Sequence, residues 1–287
     1  MTEARDIELE IPEGTVAARR WGNPSGLPVL AAHGWLDNAG TFDRLAPRLD
    51  DVDLVAFDFP GHGRSHHRGA GAAYHFADWI PVFFDLADSL GWREFSILGH
   101  SMGAAAGALA AGTYPARIRR MVLIDGFGPW TTPEDEAPAQ FREGLDERRT
   151  ILSKNSRQYE SREDAASTIS TIYGMAPEAV MPLLDRGLER REDGWYMTYD
   201  LQLRAASMLR FTEGQVLAFL RRIDCPTLLI RPEEGWPWDP EQIRPRLDAV
   251  SDLTVEEVEG GHHVHLSSPT VLGGLVQSFL TPASESR

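Results

Sequence analysis

The chain predicts an α/β protein, a mostly parallel, doubly wound sheet carrying an inserted all-helical lid. Three observations carry that expectation. Short apolar runs punctuated by Gly and Pro alternate with helical patterns through the first 125 residues. A Gly-x-Ser-x-Gly pentapeptide falls at one of the strand-to-helix junctions. The alternation then stops near residue 129 and resumes near 223, which places the intervening block outside the sheet.

Taken in order, residues 6–11 and 15–21 read as a hairpin around Pro12-Glu13-Gly14. Strands follow at 29–32, 54–57, 95–98 and 121–124, with helices expected at 42–49, 76–90 and 102–113. Residues 129–222 contain helical stretches at 140–153, 161–172, 178–190 and 215–222 and no convincing strand. Beyond them come a strand at 227–230, a helix at 240–250, a strand at 254–258 and a last helix at 270–280. The expected division is a core formed by 1–128 and 223–287, with 129–222 as a helical lid. Residues 281–287 are expected to fray.

Composition narrows the functional classes. A 287-residue chain that is 42% hydrophobic and 25% charged suits one α/β core with an insertion, and excludes a collagenous or broadly disordered protein. With 28 Lys plus Arg against 43 Asp plus Glu, the net charge of −15 repels phosphate backbones and anionic lipid. Neither a nucleic acid nor a membrane is an expected partner. One cysteine, Cys225, permits no intrachain disulfide. Residues 1–10 are acidic and lack the layout of a signal peptide, and no run of 18 apolar residues exists, so the expected location is cytoplasmic. Oligomeric state is not legible.

Gly99-His100-Ser101-Met102-Gly103 has the nucleophile-elbow pattern. The turn is so tight that side chains at 99 and 103 would collide with backbone, and the serine is left projecting beside the positive end of the following helix. A serine needs a base. Gly260-Gly261-His262-His263-Val264-His265 follows the last strand, where a histidine can reach the elbow. His262, directly after the glycine pair and seven residues before Pro269, is the expected base, with His263 as the alternative. The acid that orients the imidazole has two candidate positions. After the penultimate strand the sequence reads Arg231-Pro232-Glu233-Glu234-Gly235, with a glycine where an aspartate is usual, and Asp239 lies at an awkward offset. After the strand that follows the elbow helix, Met121-Val122-Leu123-Ile124-Asp125 ends on an aspartate and keeps the order Ser…Asp…His. Asp125 is preferred, Asp239 second.

An oxyanion hole requires two backbone N–H groups, expected from Met102 and from Trp35 in His33-Gly34-Trp35. His33, Gly34, Phe127, Trp130 and Trp236 are expected to line an apolar acyl pocket, with Trp35, Phe59 and Trp238 also near strand ends. The histidines at 262, 263 and 265, and those at 62, 66 and 67, have no paired carboxylate or thiolate at helical ligand spacing. No metal is expected, and these side chains read as solvated loop residues.

The run 28–34, Asp58-Phe59-Pro60-Gly61-His62-Gly63-Arg64-Ser65, the elbow and the terminal Gly-His loop together resemble the α/β-hydrolase superfamily over essentially the whole chain. More narrowly, His33-Gly34-Trp35-Leu36-Asp37-Asn38-Ala39, Phe95-Ser96-Ile97-Leu98-Gly99-His100-Ser101, and Arg186-Gly187 followed by Gly194-Trp195 and Asp200 are similar to the serine hydrolase-like protein family. The resemblance implies a helical lid and no cofactor, and makes glycine at 235 a subfamily feature that favours Asp125. The function expected is hydrolysis of a small carboxylic ester or thioester through an acyl-enzyme on Ser101, with a small-molecule acyl substrate carrying an apolar part as the expected partner. The same residues would serve a carbon–carbon bond hydrolase or a cofactor-free perhydrolase. An idle binding protein on this fold would be expected to have lost part of the triad.

Overall fold

The computed structural model describes residues 4–69 and 71–282. The last five residues of the tail expected to fray, and the first three of the chain, lie outside the described residues. Strands β1 (Arg5–Ile11) and β2 (Gly14–Gly22) form the expected antiparallel hairpin. They are followed by β3 (Leu27–Ala32), β4 (Val52–Phe57), helix α1 (Trp79–Ser89), β5 (Phe95–His100), α2 (Met102–Thr113) and β6 (Ile118–Ile124). After the insertion come β10 (Thr227–Glu234), α7 (Pro240–Asp248), β11 (Leu253–Gly261), the single turn α8 (Val264–Ser267) and α9 (Pro269–Leu280). The eight-stranded sheet runs β1-β2-β4-β3-β5-β6-β10-β11, antiparallel at β1–β2 and β2–β4 and parallel from β4 to β11.

Alternating strand residues feed two apolar layers. Leu30, Val55, Leu123 and Leu229 face one layer, against α1 and α2. Val29, Leu54, Val122 and Leu228 face the other, against α9. All eight are at most 3% exposed, the pattern of a sheet covered on both faces, whose parallel strands read as continuous apolar runs.

The insertion holds α3 (Ala137–Leu152), β7 (Gln158–Tyr159), α4 (Arg162–Tyr173), α5 (Pro177–Gly187), β8 (Leu188–Arg191), β9 (Gly194–Met197) and α6 (Glu213–Leu220). Local chemistry sets its helix starts. The Ser161 hydroxyl accepts the Asp164 N–H at the head of α4, and Thr212 with Gln215 closes a capping box on α6.

Two expectations need correction. The helix expected at 42–49 is a pair of 3-10 turns, 39–42 and 46–48. Pro47 has no N–H to donate, and its ring would collide with a carbonyl one turn back. The block 129–222 is not wholly helical, because β7, β9 and β8 form a small antiparallel sheet, and the helix expected to reach 190 ends at Gly187. Leu188-Glu189-Arg190-Arg191 is charged and mostly exposed, so it lacks the apolar alternation by which a half-buried strand is recognised.

Arg186, on α5, ties the insertion to the core. Its Nε donates to both oxygens of Asp58 at 2.9 Å, and its Nη1 donates to Asp6 Oδ1 at 2.9 Å. Asp58 also accepts the Ala39 and Arg64 backbone N–H groups. Its side chain has no exposed surface, and that of Arg186 is 2% exposed.

Candidate active site

Ser101 occupies the turn between β5 and α2 with φ 52° and ψ −116°, a conformation that costs energy for a residue with a Cβ. Gly103 makes the turn possible, since a Cβ there would be driven into the Ala32 carbonyl of β3. Asp125, immediately after β6, also has positive φ, 46°. The β5–β6–β10 register sets His100, Ile124 and Ile230 side by side, and the backbone continues the ladder: Ser101 N–H donates to Ile124 at 2.9 Å, and Asp125 N–H to Ile230 at 2.9 Å.

His262 arrives from the end of β11. Its Nδ1 lies 2.6 Å from Asp125 Oδ2 and its Nε2 lies 3.0 Å from Ser101 Oγ. With the Nδ1 proton donated to the carboxylate, Nε2 presents a lone pair to the serine hydroxyl, the arrangement by which an imidazole accepts a proton from a nucleophile. Asp125 is held in turn by the Trp236 backbone N–H at 2.7 Å and the Trp238 indole N–H at 3.3 Å. Its side chain is fully buried, whereas that of His262 is 26% exposed, so the relay has a buried end and an open end.

The structure separates the competing candidates. Asp239 caps α7, accepting the Glu241 N–H at 2.9 Å, and belongs to that helix end. His263 is engaged elsewhere: its Nε2 lies 3.4 Å from Asp37 Oδ2, and its ring stacks on Tyr173 with centroids 4.0 Å apart.

Met102 is the first residue of α2, so its N–H lacks an intrahelical acceptor. Trp35 lies in the Gly34–Asp37 turn, and its indole N–H donates to Leu203 in the insertion at 2.9 Å. Trp236 lies edge-on to His262 at 5.9 Å and against Trp130 at 5.5 Å, and both indoles are substantially exposed.

Others among the expected pocket residues stand elsewhere. Phe127 and Phe59 have no exposed surface and pack into the core beside the sheet, and Gly34 is buried. His33 is also fully buried; its Nδ1–H donates to Gly34 at 2.7 Å and its Nε2 accepts the Phe59 N–H at 3.0 Å.

The reading of the histidines as solvated loop residues is corrected as well. His62, His263 and His265 are buried, as is His100, while only His67 of the six is exposed. Burial lowers the basicity of His33, drives His62 and His100 well below the usual imidazole range, and takes His265 to about 3. Burial alone would raise Asp37, but the His263 imidazole and the Tyr173 hydroxyl outweigh it and hold the carboxyl at about 2. Sequence reasoning missed the donors on Asp125, the Arg186–Asp58 pair and the Asp37–His100–His263 group. All three join segments far apart in the chain, although each includes a residue of a motif already singled out.

A sheet of this order, with a serine on the strained turn after its fifth strand, has the architecture of the α/β-hydrolase fold. The family model for that fold matches residues 28–269, and the chain belongs to the family. Within it, the chain is 30% identical to a probable serine hydrolase of Drosophila melanogaster, covering 97% of this chain and 88% of that protein. It is 29% identical to a serine hydrolase-like protein of Danio rerio, covering 98% and 90%. Among solved structures it is similar to the hypothetical protein PA1622 of Pseudomonas aeruginosa PAO1, with a TM-score of 0.89 and 38% identity over 96% of this chain and 97% of that one. Among the described residues no helix is long and apolar enough to cross a membrane.

Proposed function

We propose that the chain is a serine hydrolase acting on a small carboxylic ester or thioester with an apolar acyl part. The observation that carries this reading is the continuous Ser101–His262–Asp125 relay, with contacts of 3.0 and 2.6 Å. Ser101 Oγ attacks the acyl carbon as His262 Nε2 takes its proton, and Asp125 stabilises the imidazolium that forms. The Met102 and Trp35 N–H groups receive the oxyanion. His262 then returns the proton to the departing alcohol or thiol, and water releases the acyl group by the same steps. Trp236, beside His262, and Trp130, packed against Trp236, are the exposed apolar surface offered to the acyl chain, and residues 129–222 act as the lid over it.

The test is labelling of wild type and Ser101→Ala with a fluorophosphonate probe, read by intact mass, together with turnover of short activated esters and thioesters. A single adduct and ester turnover on wild type, both absent from Ser101→Ala, are expected. A folded wild type that takes no adduct and turns over no ester overturns the reading.

A further inference from the structure

Behind the relay, three side chains from separate parts of the chain converge. Asp37 comes from the turn after β3, His100 from the end of β5 and His263 from the loop after β11. Their side chains are 1%, 0% and 8% exposed. Asp37 Oδ2 lies 3.4 Å from His263 Nε2 and 3.7 Å from His100 Nδ1, and all three atoms fall within 4.8 Å of one another.

The surrounding hydrogen bonds aim these atoms. Tyr173 donates its hydroxyl to Asp37 Oδ1 at 2.7 Å, so Oδ2 is the oxygen nearest the two imidazoles. The only proton His100 can give the His262 carbonyl, 2.9 Å from its Nε2, is the one on that nitrogen, so Nδ1 of the neutral ring is a lone pair. Among the described residues, Asp37 Oδ2 and His100 Nδ1 meet no partner in hydrogen-bond geometry. A carboxylate oxygen and an imidazole lone pair facing each other in a buried space repel unless a cation lies between them. The space is kept open by Gly34, where a Cβ would stand 3.0 Å from His100 Nδ1 and 3.3 Å from Asp37 Oδ2.

We propose that Asp37 Oδ2, His100 Nδ1 and His263 Nε2 bind a divalent transition-metal ion of the zinc class, at a site distinct from the Ser101 relay. Metal–ligand bonds of about 2.0–2.1 Å in a tetrahedral site separate neighbouring ligand atoms by about 3.3 Å, close to the two spacings seen here. Two imidazoles with one carboxylate suit zinc-class ions, whereas magnesium and calcium take all-oxygen shells. The Tyr173 and His262-carbonyl hydrogen bonds are the outer partners that orient ligands in such sites. The ion would pin the loop carrying His262 to the loop carrying Trp35. The proposal does not depend on the acyl chemistry.

The experiment uses the full chain, stripped with chelator and titrated with zinc or cobalt(II), with bound metal counted by mass spectrometry of the elements. One ion per chain is expected, with cobalt giving the visible bands of a tetrahedral complex. Asp37→Asn and His263→Gln are each expected to weaken binding at least about tenfold, while His262→Ala, which removes no ligand, binds as wild type. Circular dichroism establishes that each variant is folded; if one is not, the remaining variant and the cobalt spectrum decide. Absence of stoichiometric binding by folded wild type overturns the proposal. So does binding that survives both ligand variants, or that is lost in His262→Ala, which would put the ion on the relay.

Discussion

A Cβ on Gly235 would stand 2.5 Å from Oδ2 of Asp125. The two residues follow neighbouring parallel strands, β6 and β10, whose pairing ends at Ile124 and Ile230, four residues before the end of β10. Both strand ends therefore overlook one location from which a carboxylate reaches His262 Nδ1. Asp125 fills it from β6, and the residue after β10 must then be without a side chain. The glycine and the aspartate are two halves of one arrangement, although 110 positions separate them.

Gly235→Ala is expected to push the Asp125 carboxylate off His262 and lower kcat/KM by about 10²-fold, the scale of a misplacement near 1 Å. Moving the acid should restore part of the loss: Asp125→Gly combined with Gly235→Asp is expected to exceed Asp125→Gly alone at least about tenfold. Steady-state kinetics on an activated ester decides, and wild-type rates in Gly235→Ala would refute the overlap.

Asp125→Asn keeps the volume and tolerates the positive φ, since Asn visits that region more readily than other side chains. It removes the charge and favours the wrong imidazole tautomer. A loss of about 10³ to 10⁴ in kcat is expected with the fold intact, checked by kinetics beside circular dichroism. The same substitution at Asp239 should leave kcat unchanged and cost about 1 kcal/mol or less in stability, because only a helix cap is altered.

Trp130 and Trp236 are expected to set acyl preference. Alanine at either position should raise KM for longer acyl chains more than for acetyl esters, by several-fold, as apolar contact is lost. A substrate series with a fixed leaving group makes the comparison, and an unchanged chain-length profile in both variants removes these residues from the pocket.

Arg186→Ala leaves Asp58 buried without its cation. A loss of about 3–5 kcal/mol in unfolding free energy is expected, measured by urea denaturation. Exposed pairs such as Arg119–Glu94 should cost less than about 1 kcal/mol when broken.

Acid sensitivity should come from buried neutral histidines. His33 and His62 are both less basic in the fold than in the unfolded chain, chiefly because burial disfavours the charged ring. Below the unfolded value near 6.5 the unfolded chain takes up protons that the native state refuses, so stability is full above that pH and declines as pH falls beneath it. Each group contributes a slope of about 1.4 kcal/mol per pH unit in that window. Urea unfolding at a series of pH values between neutral and mildly acid tests this. His62→Asn, whose amide can still donate to the Pro60 carbonyl, should flatten the slope by about one proton.

Much of this was readable locally. Strand-helix alternation, the elbow around Ser101 and the Gly-His loop at 260–265 are each contained within a few residues, where periodicity and turn chemistry act. The helix ends at Ser161 and Thr212 are local too. The exposed β8 carries no apolar period to betray it, and Pro47 broke a helix that composition alone favoured.

The order of the core strands and the helices that flank them, the place of Ser101 on its turn and the candidates for base and acid were determined by the sequence itself, because short-range sterics and side-chain periodicity set them. Which histidine faces Ser101, why Gly235 is bare, that Asp58 holds Arg186 and that Asp37 meets His100 and His263 were decided only when the sheet brought its strand ends together. Those contacts depend on distances between segments sixty or more residues apart, and spacing along a chain does not encode them.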